Sequence, residues 1–228
     1  MEKLNWRKYA FDFLSIFIAV ISAFALNNWN DNRKDNIAEA KILKEIVNGL
    51  NKDIEDTFIN IKGHQAGMKA CSYWRALICN PEAKHDSVGQ YYLNLTRDFV
   101  SIQNSSGYES LKSKGLEIID DDSLRFEIIS LYEYDFHTLK KLEEEYDEMQ
   151  FNSSHFKELN SIISKKLLFD EDGNIIGIDL PMLLSHEEEN KFLSNLWKIQ
   201  TNRYFILAFY NDIEKRIEKI IARIEEYH

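Results

Sequence analysis

Hydrophobic and polar positions follow different rhythms along this chain, and each predicts a different environment. Tyr9 to Leu26 (YAFDFLSIFIAVISAFAL) is apolar on every side, with Asp12 its one charge. As a helix it spans about 27 Å, close to the thickness of a bilayer's hydrocarbon core. Trp6 and Tyr9 stand at one end and Trp29 at the other, where amphipathic rings favour the headgroup level. The pattern predicts one transmembrane helix over 9–26, after a short basic tail over 1–8. The rival is a cleaved signal peptide, with Lys3, Arg7 and Lys8 as its basic region and Ala23-Phe24-Ala25 as its cleavage pattern. Asp12 inside the run and Trp29 in an anchor's position favour a permanent span. Asp12 is either an interfacial carboxylate that reaches water or an intramembrane contact with a partner helix.

Beyond the span the rhythm changes to that of a one-faced helix. Leu43, Val47, Leu50, Ile54, Phe58 and Ile61 recur at steps of three and four. No breaker separates Leu26 from Asn36, so the membrane helix can run straight into this one, and Pro81 ends the pattern. Asp86 or Ser87 can cap a short helix to about Phe99, and Tyr108–Lys114 is helical until Gly115. Asp120, Asp121 and Asp122 open a longer helix whose buried face is Leu124, Ile128, Leu131, Leu139, Leu142, Tyr146 and Met149.

Leu167–Ile178 is the one strand-like region, two apolar runs about Asp172-Gly173, and predicts a β-hairpin. The last helix, over 186–226, starts at a capping box of Ser185 and Glu188. Its heptad runs through Phe192, Leu196, Ile199, Ile206, Tyr210, Ile213, Ile217, Ile220 and Ile224, interrupted only by Arg203. Leu193, Trp197, Phe205, Leu207 and Phe209 make its first half apolar on several faces, which predicts a central position. This coiled-coil-like seam can pack on another helix of the chain, by default the one at 37–61, or on a second copy. The expected fold is mainly α: a single N-terminal transmembrane helix and an extramembrane bundle of long helices over 27–228, with one short β-hairpin near 167–178.

Composition agrees with long helices, since the 228 residues include only two prolines and eight glycines. The net charge is −10. Residues 1–26 carry Lys3, Arg7 and Lys8 against Glu2 and Asp12, which leaves the remainder near −11. Such a domain repels a phosphate backbone, so nucleic acid is excluded as a partner, and it stands off an anionic lipid surface. Three basic residues before the span, against Arg33, Lys34, Lys41 and Lys44 after it, favour an N-in, C-out orientation. Cys71 and Cys79, about 12 Å apart on a helix, are beyond disulfide reach and read as two small buried hydrophobes.

Leu26-Asn27-Asn28-Trp29-Asn30-Asp31-Asn32-Arg33-Lys34, directly after the apolar span, resembles the signature L-N-N-W-N-x-x-R-K of an uncharacterised family of small bacterial membrane-anchored proteins. A second similarity is Gly107-Tyr108-Glu109-Ser110-Leu111-Lys112-Ser113-Lys114-Gly115, followed by Ile118–Asp122 and Leu124-Arg125. The family's comparable segment reads Y-x-x-L-x-x-S-G, and Lys114 here stands where its serine is usual. The resemblance implies the architecture and a bacterial membrane; in a bacterium the N-in, C-out orientation read from the flanking charges puts the anchor in the inner membrane and the domain in the periplasm. The resemblance implies no chemistry, because the family has no assigned activity.

No phosphate-binding glycine loop, nucleophile elbow or zinc-binding histidine pair occurs, so no catalytic residue, cofactor or metal is expected. Asp170, Asp172 and Asn174 begin like a calcium loop, but Ile175 and Pro181 stand where glycine and glutamate are required. The six histidines read as surface or partly buried side chains, and Glu143-Glu144-Glu145 as a solvated face. Candidate interaction residues are Asp12, Tyr108, Glu109, Lys112 and Arg203. Tyr108, Glu109, Ser110 and Lys112 are a packed corner or, in an enzyme, a catalytic cluster. The expected function is a noncatalytic membrane-anchored interaction or scaffold protein, whose partners are the bilayer and a homo-oligomer or membrane protein. The alternatives are a ligand-sensing bundle that signals through a membrane partner, and an enzyme with an unrecognised site.

Overall fold

The structure, a computed structural model, describes residues 6–80 and 86–227, and of residues 6–8 only the backbone. It is mainly α-helical with one short antiparallel hairpin. Helix α1 is continuous from Trp6 to Cys79, 74 residues. The asparagines after Leu26 do not break it; Asn27 Nδ2 donates to Asp31 Oδ2 one turn on (3.0 Å), a local bond that suits a helix surface. Its part near the N-terminus is long and apolar enough to cross a membrane and is uncovered by any other element.

From Glu39 onward α1 is the spine of a bundle. Helix α7 (His186–Tyr227) lies antiparallel beside it along the expected seam, all of whose members are buried. Its capping box forms as the sequence predicts: Glu188 N donates to Ser185 Oγ, and Ser185 N donates back to Glu188 Oε2. The short helices α2 (Val88–Leu95) and α3 (Ser106–Lys114) cross other sides of α1. Gly107 is where α3 meets the spine, because a Cβ there would come within 2.6 Å of Ile46 N. Helix α4 (Asp122–Ser130) is capped by Asp121, which accepts from Ser123 N and Leu124 N. It passes through a π-helical turn, Leu131–Phe136, into α5 (His137–Glu144). Helix α6 (Phe151–Ile163) then packs on α7. The hairpin pairs β1 (Leu167–Phe169) with β2 (Ile175–Ile178), and Asp170 closes its turn by accepting from Asp172 N and Asn174 N.

Several expectations need correction. Phe58 is 54% exposed and Thr57 takes the buried position, because the stripe steps by three there. Tyr146 is exposed, since α5 ends at Glu144 and a 3-10 turn follows. The first short helix stops at Leu95, well before Phe99, and Ser87 precedes it in a left-handed conformation without capping. Cys79 is exposed, so only Cys71 is a buried hydrophobe. Trp197 and Phe205 face solvent, so the N-terminal half of α7 is less central than its composition suggests. Pro81 lies outside the described residues.

Candidate functional site

Two stripes of α1 face inward. The second is polar and glycine-rich: Gly49, Asp53, Asp56, Asn60, Gly63 and Gly67, at steps of four and three. The extended segment 96–105 lies along it and is held there by side chains. Asp53 Oδ1 accepts from Asn104 N (2.8 Å) and Nδ2 (2.6 Å), and Asp56 Oδ2 accepts from Ile102 N (3.0 Å). Glu143 Oε2, on α5, accepts from Ser101 N (3.0 Å) and Oγ (2.8 Å), and the other oxygen accepts from the Tyr210 hydroxyl of α7. The glycines admit this segment: a Cβ at Gly63 would strike the Phe99 ring at 2.2 Å. A strandless, partly buried stretch thus meets part of its backbone hydrogen-bond demand through carboxylates, at Ser101, Ile102 and Asn104.

Arg203 closes the upper end of this layer. It is 0% exposed, at the interruption of the α7 heptad. Nη1 donates to His64 Nδ1 (3.0 Å), and Nη2 donates to Leu95 O (3.3 Å) and Arg97 O (2.9 Å). The guanidinium carbon lies 4.1 Å from the Phe151 ring centre, a cation–π contact in a dry setting. Gly67 makes the room, since a Cβ there would sit 2.4 Å from the guanidinium. Because His64 accepts at Nδ1, its proton is on Nε2, which has no partner among the described residues; Arg203 Nε also lacks one. Burial and the neighbouring Arg203 hold His64 down at about 3, and burial lowers Arg203 to about 10, so at neutral pH the pair is one cation and one neutral ring.

The nearest counter-charge is Asp98, which caps α6 by accepting from Phe151 N (2.7 Å) and Asn152 N. Burial raises Asp98, Glu143 and Asp53 above the usual carboxylate range, partly offset by the bonds they accept. The layer joins α1, segment 96–105, α5, α6 and α7 by charge-assisted bonds. These bonds hold the elements together as a clamp.

The other sequence-predicted residues lie elsewhere. Tyr108 is buried and stacks on Tyr132, with ring centres 4.5 Å apart. Lys112 pairs with Glu109 (2.7 Å) and Glu133 (3.5 Å) and lies over the Tyr108 ring, while Ser110 contributes its carbonyl to Ser113 Oγ. That corner meets a different part of α1 from Arg203, since Gly107 packs on Ile46 and Arg203 on Gly67. Asp12, Tyr9 and Trp29 are all exposed on α1, and the side chain of Trp6 lies outside the described residues. Glu143 corrects the expectation of a solvated acidic run, and His64 and His155 correct that of surface histidines, because all three are buried.

No family model, no curated protein and no solved structure matches the chain.

The residues missed from sequence are Asp53, Asp56, His64, Asp98 and Glu143. The available signal was the polar heptad of α1, which an apolar pattern search passes over. The other was the stripe Phe151-His155-Leu159-Ile162 that marks α6.

Proposed function

We propose that this chain is a noncatalytic interaction or scaffold protein, anchored in a bacterial inner membrane by residues 9–26 and presenting its helical bundle on the periplasmic side. One observation carries the reading: every residue from Tyr9 to Ile37 is exposed, and the first eighteen of these are almost wholly apolar. Leaving rings such as Phe11, Phe13, Phe17 and Phe24 in water costs about 25 cal/mol per Å² of apolar surface, so a lipid environment is the one that matches this surface. Tyr9 and Trp29 bracket the stretch at the two headgroup levels, and Asp12, one turn inside, reaches toward water or a partner helix.

The two motifs of the family resemblance are neighbours in space, which supports reading them as one corner. Asn32, Asp35 and Asn36 of α1 line a cleft of about 630 Å³ together with Lys114, Gly115, Glu117, Ile118 and Asp120. That corner stands about 9 to 15 Å beyond Leu26 along the helix, next to the headgroups. Its acidic groups hold it off anionic lipid.

Carbonate extraction tests the anchor: the full-length chain stays in the membrane pellet, and recovery in the wash as a soluble monomer refutes it. A periplasm-sensitive reporter fused at the C-terminus is expected to be active, and an inactive one reverses the orientation.

A further inference from the structure

The pair formed by α1 and α7 is covered on one side by the short helices and open on the other. The open side is a groove with a half-buried floor of Val47, Ile54 and Met68 from α1 and Leu193, Gln200 and Ile221 from α7. Its α1 wall repeats at seven-residue intervals through Ile37, Lys44, Asn51, Phe58, Gln65 and Ser72, all exposed. Its α7 wall repeats likewise through Trp197, Tyr204, Asn211, Glu218 and Glu225, also exposed. Two clefts lie along it: one of about 620 Å³ lined by Met68, Lys69, Ser72, Tyr73, Gln200 and Tyr204 together with Tyr91 of α2, and one of about 330 Å³ between Ala40, Lys44, Val47, Ile224 and Glu225.

The walls carry opposite charge. The open face of α1 bears Lys41, Lys44, Lys62 and Lys69 with Glu55 the one acid, and that of α7 bears Glu187, Glu218 and Glu225 with Lys215 the one base. Height is matched as well. Lys44 and Glu225 share the lower cleft, and Lys69 and Tyr204 share the upper one. Counted from the Arg203–His64 bond, Glu55 and Lys215 lie within one turn of each other. A two-fold axis along the groove sets each helix of one copy on the opposite helix of the other, so basic residues meet acidic ones, and Lys62 and Lys69 meet Tyr204 and Trp197. This is the self-complementarity an isologous interface requires.

We infer that this groove docks a second copy of the chain, two antiparallel α1–α7 pairs closing about a two-fold axis into a four-helix core. The inference rests on the membrane anchorage proposed above, because two copies tethered in one bilayer present their grooves at the same height and in the same sense. The groove is about 60 Å long and about 10 Å across, or about 600 Å² in projection, close to the roughly 800 Å² per partner of a stable dimer. Trp197 at 64% and Tyr204 at 59% exposure supply the aromatic anchors that dominate such contacts.

The test uses the full-length chain in lipid vesicles, carrying Cys79→Ser so that buried Cys71 is the only native thiol. Two differently tagged populations, Lys69→Cys and Tyr204→Cys, are mixed and mildly oxidised, and adducts are read only from the carbonate-resistant pellet. The expected product is the mixed disulfide, at least tenfold above either self-pair. Lys41→Glu with Lys44→Glu cuts it at least tenfold, and adding Glu218→Lys with Glu225→Lys restores it. All these side chains are exposed, and unchanged thermal unfolding shows that the fold is intact. Pelleted protein that gives no adduct, self-pairs in excess, or reversed charges that fail to rescue each overturn the docking. Protein in the carbonate wash overturns the anchorage instead.

Discussion

Between Tyr9 and Ile37, α1 is exposed on every side, whereas from Glu39 to Cys79 the same helix alternates buried and exposed positions. As far as Leu26 the first half has apolar side chains all around with small or polar ones scattered among them, and from Asn27 to Asn36 it is polar but for Trp29. The second gathers most of its apolar residues on one stripe, Phe58 and Ile59 excepted, and sets polar and glycine residues on another. Both halves satisfy their backbone internally as helix, so the difference lies in what surrounds them. A uniform apolar coat suits a uniform solvent, and a divided surface suits neighbours that differ from side to side. Polarity alone therefore does not report burial on this helix. Asp53 and His64 are buried and Phe58 is not, because segment 96–105 and Arg203 supply partners on one side and no described residue covers the other.

That contrast is most exposed to failure at Arg203. Arg203→Ala leaves two backbone carbonyls and His64 without a donor, and is expected to cost about 3–5 kcal/mol, read by chemical unfolding of the full-length chain in detergent. A loss below about 1 kcal/mol would show that the polar layer does not hold the bundle together. A paired measurement on α1 separates its faces. Leu50→Ala, at a fully buried position, is expected to lose about 3 kcal/mol. Phe58→Ala is expected to stay within about 0.5 kcal/mol in the monomer, although it removes more side chain. Equal losses would mean that the open face is covered within one chain.

Acid titration sharpens the polar side. His64 has an ordinary value of 6.5 and is held at about 3 in the fold, so its neutral form contributes stability that is complete above pH 6.5 and lost as pH falls toward 3. The raised carboxylates Glu143, Asp98 and Asp53 act in the opposite sense, because the fold takes up their protons first. The informative quantity is therefore the difference from His64→Gln. Relative to that variant the wild type should lose up to ~1.4 kcal/mol per pH unit across this window, and parallel curves would show that His64 does not titrate as placed. The smallest effect is at the N-cap of α4: Asp121→Ala removes the side-chain acceptor of two backbone N–H groups and one of the carboxylate partners of Arg223. A loss of about 1 kcal/mol is expected, and none would mean that the cap is redundant.

Much of this fold was legible because long helices advertise themselves. The α7 heptad, its capping box, the stop at Gly115 and the Asp170–Asn174 turn were each readable from local spacing and side-chain chemistry. The site was not, for a physical reason. Arg203 looked like a defect in a seam, and Glu143 like one of three solvated glutamates. Each acquires its role from groups 42 to 139 residues away, at Ser101 and His64. Helix α6 escaped because His155 stands within its apolar stripe, where Asn195 satisfies it from the neighbouring helix. The Phe58 error is of another kind: steps of three and four are equally helical, and only the path of α7 chooses between Thr57 and Phe58.

The unbroken course of α1 from Trp6 to Cys79 has a mechanical consequence. With Tyr9–Leu26 held in lipid, the remaining residues to Cys79 form a lever arm of about 80 Å with the bundle built onto it. Transmembrane helices tilt by about 20° on average, and a change of that size swings the far end through about 27 Å by simple trigonometry. Local bilayer thickness would then set how far from its attachment point the bundle can reach, with no joint in the chain needed to do so.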